Sequence, residues 1–212
     1  MGVATTNVLD RVMASVGLLP GGVPVRFERC EDVSQGGVLL ALPALLACGL
    51  LRHSAKYFHL PQGYYTLCNI FLLLGLMILN RVKSVEELRR SAPGEWGKIL
   101  GLDRCPVVET LREKIKLITN SGSAVEQWAG ALAQDWMQAE SLEQGVGGLL
   151  YLVDGHVRVY HGSQTKLPRH YVARQRLCCR ATTDYWVNQP EGSPIFKVNQ
   201  AVDPGMIAVL RE

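Results

Sequence analysis

Leu149-Leu150-Tyr151-Leu152-Val153-Asp154-Gly155-His156-Val157-Arg158-Val159-Tyr160 runs five apolar residues straight into an acid, then continues in an alternating, β-branched tail. Such a run predicts a buried strand that carries one carboxylate to a sheet edge or end. An acid inside an apolar strand is costly unless it is paired, hydrogen-bonded or bound to metal. Asp154 therefore needs a partner, and two explanations stand open. Asp-Gly is a strong hairpin dipeptide, and taken alone it favours a turn. A carboxylate at a strand end, ahead of a glycine and a histidine, also suits a Mg2+ or Mn2+ ligand. Two such ions about 4 Å apart can drive phosphoryl transfer on nucleic acids, but that chemistry needs several carboxylates.

The residues that follow narrow the choice. From Gly155 to Thr183 there is no acid, while Arg158, Lys166, Arg169, Arg174, Arg176 and Arg180 all fall there. His156, His161 and His170 and the aromatics Tyr160 and Tyr171 are interleaved with them. The whole chain carries a net charge of only +3, so the excess is local. A basic stretch with aromatics beside a lone acid points to phosphate contact rather than to a loop that merely happens to be basic. His156 and His161 are five apart, which on a strand sets them on opposite faces and argues against a zinc pair. Asp184 is a candidate partner for Asp154 or a cross-strand mate of an arginine. No Ser/His/Asp or Cys/His constellation is present.

Working outward, a second strand is expected over 177–188, a hairpin loop at 189–193 and a third strand over 194–199. Asp203-Pro204 can cap a helix over 205–210. Gly145-Val146-Gly147-Gly148 marks a boundary and, lacking a following Gly-Lys-Ser/Thr, is not a P-loop. Residues 146–212 are therefore β-rich and residues 36–145 helical. Residues 1–35 read as a poorly specified leader with a short helix near 6–16, capped by Thr6 or Asn7.

In the helical region two runs are very apolar, 38–51 with Pro43 inside it and 70–79. A membrane span needs about 20 apolar residues, so runs this short predict core helices. They should form a hairpin burying Leu45, Leu46, Leu50 and Leu51 against Leu72, Leu73, Leu76 and Leu79. Ser84 and Glu87 have capping-box spacing, with Glu87 reaching back to Ser84. Ser91-Ala92-Pro93-Gly94 ends that helix. Pro106 fits a first helical position, and Val108, Leu111, Ile115 and Ile118 recur at helical spacing. The segment 84–119 thus has a helix-turn-helix-like pattern. Its second helix mixes Arg112, Lys114 and Lys116 with Glu109 and Glu113, which reads as a solvated face rather than a groove reader. An amphipathic helix follows over 124–143.

The composition of the 212 residues, 48% hydrophobic and 19% charged, is globular and sufficient for one sizeable core or two small ones. Six cysteines without a C-x-x-C pair predict a reduced cytosolic protein with neither a disulfide framework nor a zinc knuckle. The first ten residues lack the basic start and apolar core of a signal peptide.

Taken together, residues 151–162, then Lys166-Leu167-Pro168-Arg169, then Thr182-Thr183-Asp184-Tyr185-Trp186-Val187-Asn188, resemble a family of bacterial insertion-sequence transposases of the Asp-Asp-Glu class. Upstream, residues 92–104 and Thr110-Leu111-Arg112-Glu113-Lys114 are similar to the same family, so the likeness extends from about Gly36 to the end. The resemblance implies an RNase H-like catalytic core with Asp154 as the first of three metal-ligating acids, Mg2+ or Mn2+ as the metal, and DNA as substrate. With DNA as that substrate, the phosphate contacts read from the basic stretch itself are Arg158, Lys166, Arg169, Arg174, Arg176 and Arg180. The resemblance also implies a second Asp on a fourth strand and a Glu on a later helix, and a helix-turn-helix domain ahead of the chain. None of these is encoded here.

The expected fold is therefore α+β, a helical N-terminal region followed by the first antiparallel strands of an incomplete RNase H-like core. The chain reads as a truncated transposase, cytoplasmic and nucleoid-associated, that binds DNA but is catalytically incomplete alone. A second copy or a full-length transposase is the expected protein partner. The alternatives are a non-enzymatic remnant and a small membrane-associated protein built on residues 38–51 and 70–79.

Overall fold

Leu67–Leu79 is apolar on every side, and such a helix has to lie inside a core. It forms helix α4 of the structure, a computed structural model that describes residues 2–5, 8–19, 23, 26–29, 33–102, 104–120, 122–144, 150–163, 165–201 and 206–209. The chain divides into two units, residues 1–128 and 129–212. Gly145 to Gly148, the expected boundary, lies outside the described residues, as do Thr6, Asn7, Asp203 and Pro204.

The first unit contains strands β1 (Gly2–Thr5) and β2 (Arg26–Arg29), paired antiparallel, and helix α1 (Val8–Ser15) between them. The stretch expected to be a poorly specified leader with a short helix near 6–16 therefore holds that helix, as α1, and two strands besides. Four-residue strands are too short to show a period, which is why the pattern missed them. The run 38–51 is not one helix. A 3-10 helix, Gly36–Ala41, leads into α2 (Leu42–Ala47), with Pro43 in the first turn as its missing N–H requires. Short α3 (Ser54–Tyr57) follows.

Helix α4 opens on a reciprocal cap. Thr66 Oγ1 accepts from the Asn69 backbone N–H at 3.3 Å, and Asn69 Oδ1 accepts from the Thr66 N–H at 2.9 Å. Leu73 and Leu76 are buried as expected, and Gly75 lets Leu45 and Leu50 close over the helix, since a Cβ there would stand 2.9 Å from Leu50 Cδ2. Leu46 and Leu79, expected inside, are 43% and 38% exposed. No helix among the described residues is long and apolar enough to cross a membrane.

A 3-10 helix (Val85–Arg90), α5 (Pro93–Leu100) and α6 (Val108–Thr119) follow. Pro93 does not only end one helix; it starts the next, where a proline costs nothing. The predicted capping box does not form. Ser84 makes no side-chain cap bond, and the Glu87 carboxylate accepts from the Lys83 N–H at 3.1 Å instead. Pro106 precedes α6 rather than sitting in it. Arg89 pairs with Glu109 and Arg112 with Glu86, so charges of α6 are used to tie it to the preceding 3-10 helix. Helix α7 (Ala124–Gln144) carries Trp128 in its second turn, and that ring meets Phe58 and Phe71 edge-on at 5.7 and 5.3 Å. Its indole N–H donates to the Arg52 carbonyl at 2.8 Å.

The second unit holds the remainder of α7 and an antiparallel sheet of four strands, β3 (Leu152–Val159), β4 (Arg169–Val172), β5 (Leu177–Asn188) and β6 (Pro194–Gln200). Short α8 (Met206–Val209) follows. Long β5 is the spine. It pairs with β3 along Ala181–Asn188, and on its other edge with β4 along Leu177–Arg180 and with β6 along Thr183–Asn188. The expected second and third strands and the loop between them are present, the loop closed by the Gln189 N–H donating to the Ser193 carbonyl at 2.8 Å. Strand β4 was not anticipated, because four residues that include Arg169 and His170 carry no apolar alternation.

Two expectations for the opening strand fail. Asp154 and Gly155 are not a turn: both lie mid-strand, opposite Trp186 and Tyr185. Nor is β3 buried on both sides, since Leu152 is 50% exposed and Asp154, His156 and Arg158 are all exposed. The glycine has a packing reason instead. A Cβ at Gly155 would stand 3.2 Å from Cε1 of buried Tyr185, so the ring lies directly over the bare backbone. Gly155→Val is expected to cost about 1–3 kcal/mol by overpacking. A chemical-denaturation midpoint equal to that of the parent protein would show that the Tyr185 ring does not need this gap.

Candidate nucleic-acid interface

Residues two apart on a strand share a face, and so do residues directly opposite each other on neighbouring strands. The register therefore sorts the sheet into two faces. One is apolar, with Val157 and Val159 of β3 opposite Thr183 and Ala181 of β5. The other holds Asp154, His156 and Arg158 of β3, then Thr182, Asp184 and Trp186 of β5, then Lys197 and Asn199 of β6. Continued along β5, this second face reaches Arg180 and its partner Arg169 on β4.

Asp184 is the fixed point of the polar face. It is fully buried, with Arg158 at 3.0 Å and Lys197 at 3.1 Å from Oδ2, and Asn199 donating to Oδ1. Burial pushes the carboxyl up. The hydrogen bond from Asn199 and the nearby Lys197 and Arg158 charges outweigh that and hold it below the usual carboxylate range. Of the two roles open to Asp184, the structure realises the cross-strand mate of an arginine. Lys197 also lies over the Trp186 ring, 5.4 Å from its centroid. Nothing local in the sequence marks Lys197 and Asn199 as members of this face. Only the pairing of β5 with β6 brings them to Asp184.

Asp154 behaves oppositely. It is exposed, and its carboxylate makes no hydrogen bond or ion pair among the described residues. Water therefore satisfies it, which removes the burial cost that the apolar run implied. Asp184 is its diagonal neighbour on the same face, about 7–8 Å away by the usual sheet spacing. Among the described residues there is no group of three or more His, Cys, Asp or Glu that could hold a metal ion. Hard divalent cations favour several oxygen ligands. One free carboxylate, beside a second already engaged by two cations, does not supply them. The expected Mg2+ or Mn2+ site is thus not assembled by these residues alone.

The six basic residues predicted to contact DNA separate into two groups. Arg158 is committed to Asp184. Lys166, Arg169, Arg174, Arg176 and Arg180 are exposed and form no ion pair among the described residues. Lys166 lies in the connection between β3 and β4, where Tyr160 Oη accepts from the Thr165 N–H at 3.2 Å. Arg174 and Arg176 sit in the turn between β4 and β5, Arg176 with φ 53°. Arg169 and Arg180 face each other across the two strands.

Guanidiniums gathered on one hairpin, with no ion pair among the described residues, make a surface suited to a polyanion. A family model described as "Transposase protein" matches residues 2–212, and the chain belongs to this transposase family. Membership implies a role in transposition, and DNA as the partner. No curated protein and no solved structure matches the chain.

Proposed function

We propose that the chain acts in DNA transposition as a member of the Asp-Asp-Glu class, with β3, β5 and β6 as the opening meander of an RNase H-like core. In this reading Asp154 is one carboxylate of a Mg2+ or Mn2+ site whose other donors come from outside the sheet. Lys166, Arg169, Arg174, Arg176 and Arg180 hold the DNA backbone. The observation that carries the proposal is exposed Asp154, without a hydrogen bond or ion pair among the described residues, in the middle of the first strand of an antiparallel meander, on the face that leads to Arg169 and Arg180. A strand that needed this acid only for stability would pair it, as β5 pairs Asp184.

Binding of a labelled random-sequence duplex across a salt series tests the DNA contacts. Affinity should fall steeply as salt rises. Arg174→Ala with Arg176→Ala should weaken binding to all sequences alike, lowering the slope of log affinity against log salt by about 2 if each arginine holds one phosphate. In the same assay, any strengthening by Mn2+ should disappear in Asp154→Asn. Absence of duplex binding at low salt would remove the proposal, and an unchanged Mn2+ response in Asp154→Asn would remove the role given to that residue.

A further inference from the structure

We propose that Arg169 and Arg180 form a clamp for one backbone phosphate of duplex DNA, at the root of a two-stranded ribbon made by β4 and the start of β5. The proposal rests on the DNA-binding reading above and adds to it a specific docking element.

Arg169 and Arg180 are directly opposite in the register. Residues so placed have Cβ atoms about 4.5–5.5 Å apart, and like charges at that spacing destabilise a sheet. The same sheet shows how such charge can be relieved, because buried Asp184 takes up both Arg158 and Lys197. Nothing comparable serves Arg169 and Arg180, which are exposed and have no ion pair among the described residues. No acid occurs between Gly155 and Thr183 to supply one. An opposed pair of guanidiniums is relieved by a single anion between them, and the guanidinium fork matches the oxygens of a phosphate.

The shape of the element selects the form of the phosphate. The register between β3 and β5 ends at Val159 opposite Ala181, whereas β4 pairs with β5 over Leu177 to Arg180. The Arg180 carbonyl still accepts from the Tyr160 N–H at 2.8 Å, and from Cys179 to the turn the structure continues as a ribbon of two strands. A two-stranded β-ribbon fits the major groove of B-form DNA. Its turn carries exposed Arg174 and Arg176, and Tyr171 on the clamp face is 62% exposed. With the turn in the groove, the clamp at the root meets the phosphate backbone at the groove's rim.

The decisive property is that stability and affinity move in opposite directions. Arg169→Glu replaces the repulsion with a cross-strand ion pair, and Arg180→Gln removes it. Without DNA, both variants should melt at or above the temperature of the parent chain. With a labelled random-sequence duplex, both should bind at least about tenfold more weakly, and the salt slope should fall by about one unit for the one phosphate released. Unchanged affinity and slope in both variants, while Arg174→Ala with Arg176→Ala still weakens binding, would overturn the clamp and leave the functional reading standing. A lowered melting temperature in both variants would assign the pair a structural role and overturn it as well. Equal affinity of the parent chain for single strands and duplex would overturn the groove-fitting ribbon. If the parent chain binds no duplex at low salt, the functional reading itself falls and the clamp with it.

Discussion

Asp184→Ala is expected to lower the unfolding free energy of the β-rich unit by about 2–3 kcal/mol, read as a shift of the urea midpoint at which amide hydrogen exchange in β3, β5 and β6 loses protection. Breaking a buried ion pair on one side usually costs about 3–5 kcal/mol, because a buried charge is stranded. Here the stranded groups are Arg158 and Lys197, whose side chains are 62% and 31% exposed. Both can turn to water, so the loss falls below the usual range. What disappears is a tie across three strands, because Asp184 on β5 holds Arg158 of β3 and Lys197 with Asn199 of β6.

The same residue sets a pH dependence whose sign follows from its lowered pKa. A carboxyl titrating lower in the folded than in the unfolded chain contributes stability above its unfolded value, about 4. That contribution is lost as pH falls through the folded value. The parent protein should therefore lose stability steeply on acidification below about pH 4, and Asp184→Asn, which has nothing to protonate, should lose it less steeply. Parallel acid limbs for the two proteins would mean that other carboxyls control acid unfolding.

Trp96→Ala should do still more damage in the helical unit, about 3–5 kcal/mol. Trp96 lies on α5, is 2% exposed, and shares the buried cluster with Ile70, Leu73, Leu76 and Leu111. Truncating so large a ring leaves a cavity that neighbouring helices can fill only by moving, and the lost dispersion contacts are not replaced. Thermal unfolding followed by far-ultraviolet circular dichroism is the measurement, since helices dominate that signal. A loss below about 1 kcal/mol would show that the cluster collapses onto the vacated space.

The legible parts of this protein carry a pattern of spacing or residue type. The spacing of Val108, Leu111, Ile115 and Ile118 located α6, because packing on one face imposes a repeat on a helix, and the β-branched and aromatic run of Thr182, Thr183, Tyr185, Trp186 and Val187 located β5. The illegible parts have none. β1, β2 and β4 are each four residues long. The run 38–51 is apolar throughout, and only Pro43, which cannot sit in mid-helix, marked where a helix starts within it. Ser84 and Glu87 had the spacing of a capping box, yet the carboxylate found the neighbouring N–H.

The candidate interface shows the same division. The acid-free, arginine-rich stretch and the singular Asp154 are properties of the sequence, and they sufficed to expect a phosphate partner. The sequence could not say what Asp154 is doing there. An apolar run into an Asp-Gly pair looks the same whether it turns, binds metal or faces water. Pairing with β5 showed that Gly155 makes room for Tyr185 and that Asp154 is exposed, with no partner among the described residues. It also separated Arg158, held by Asp184, from Arg169 and Arg180, set against each other. Charge and composition are carried by the chain itself. Whether a given charge is satisfied depends on which residue lies across the strand, and only the tertiary register supplies that neighbour.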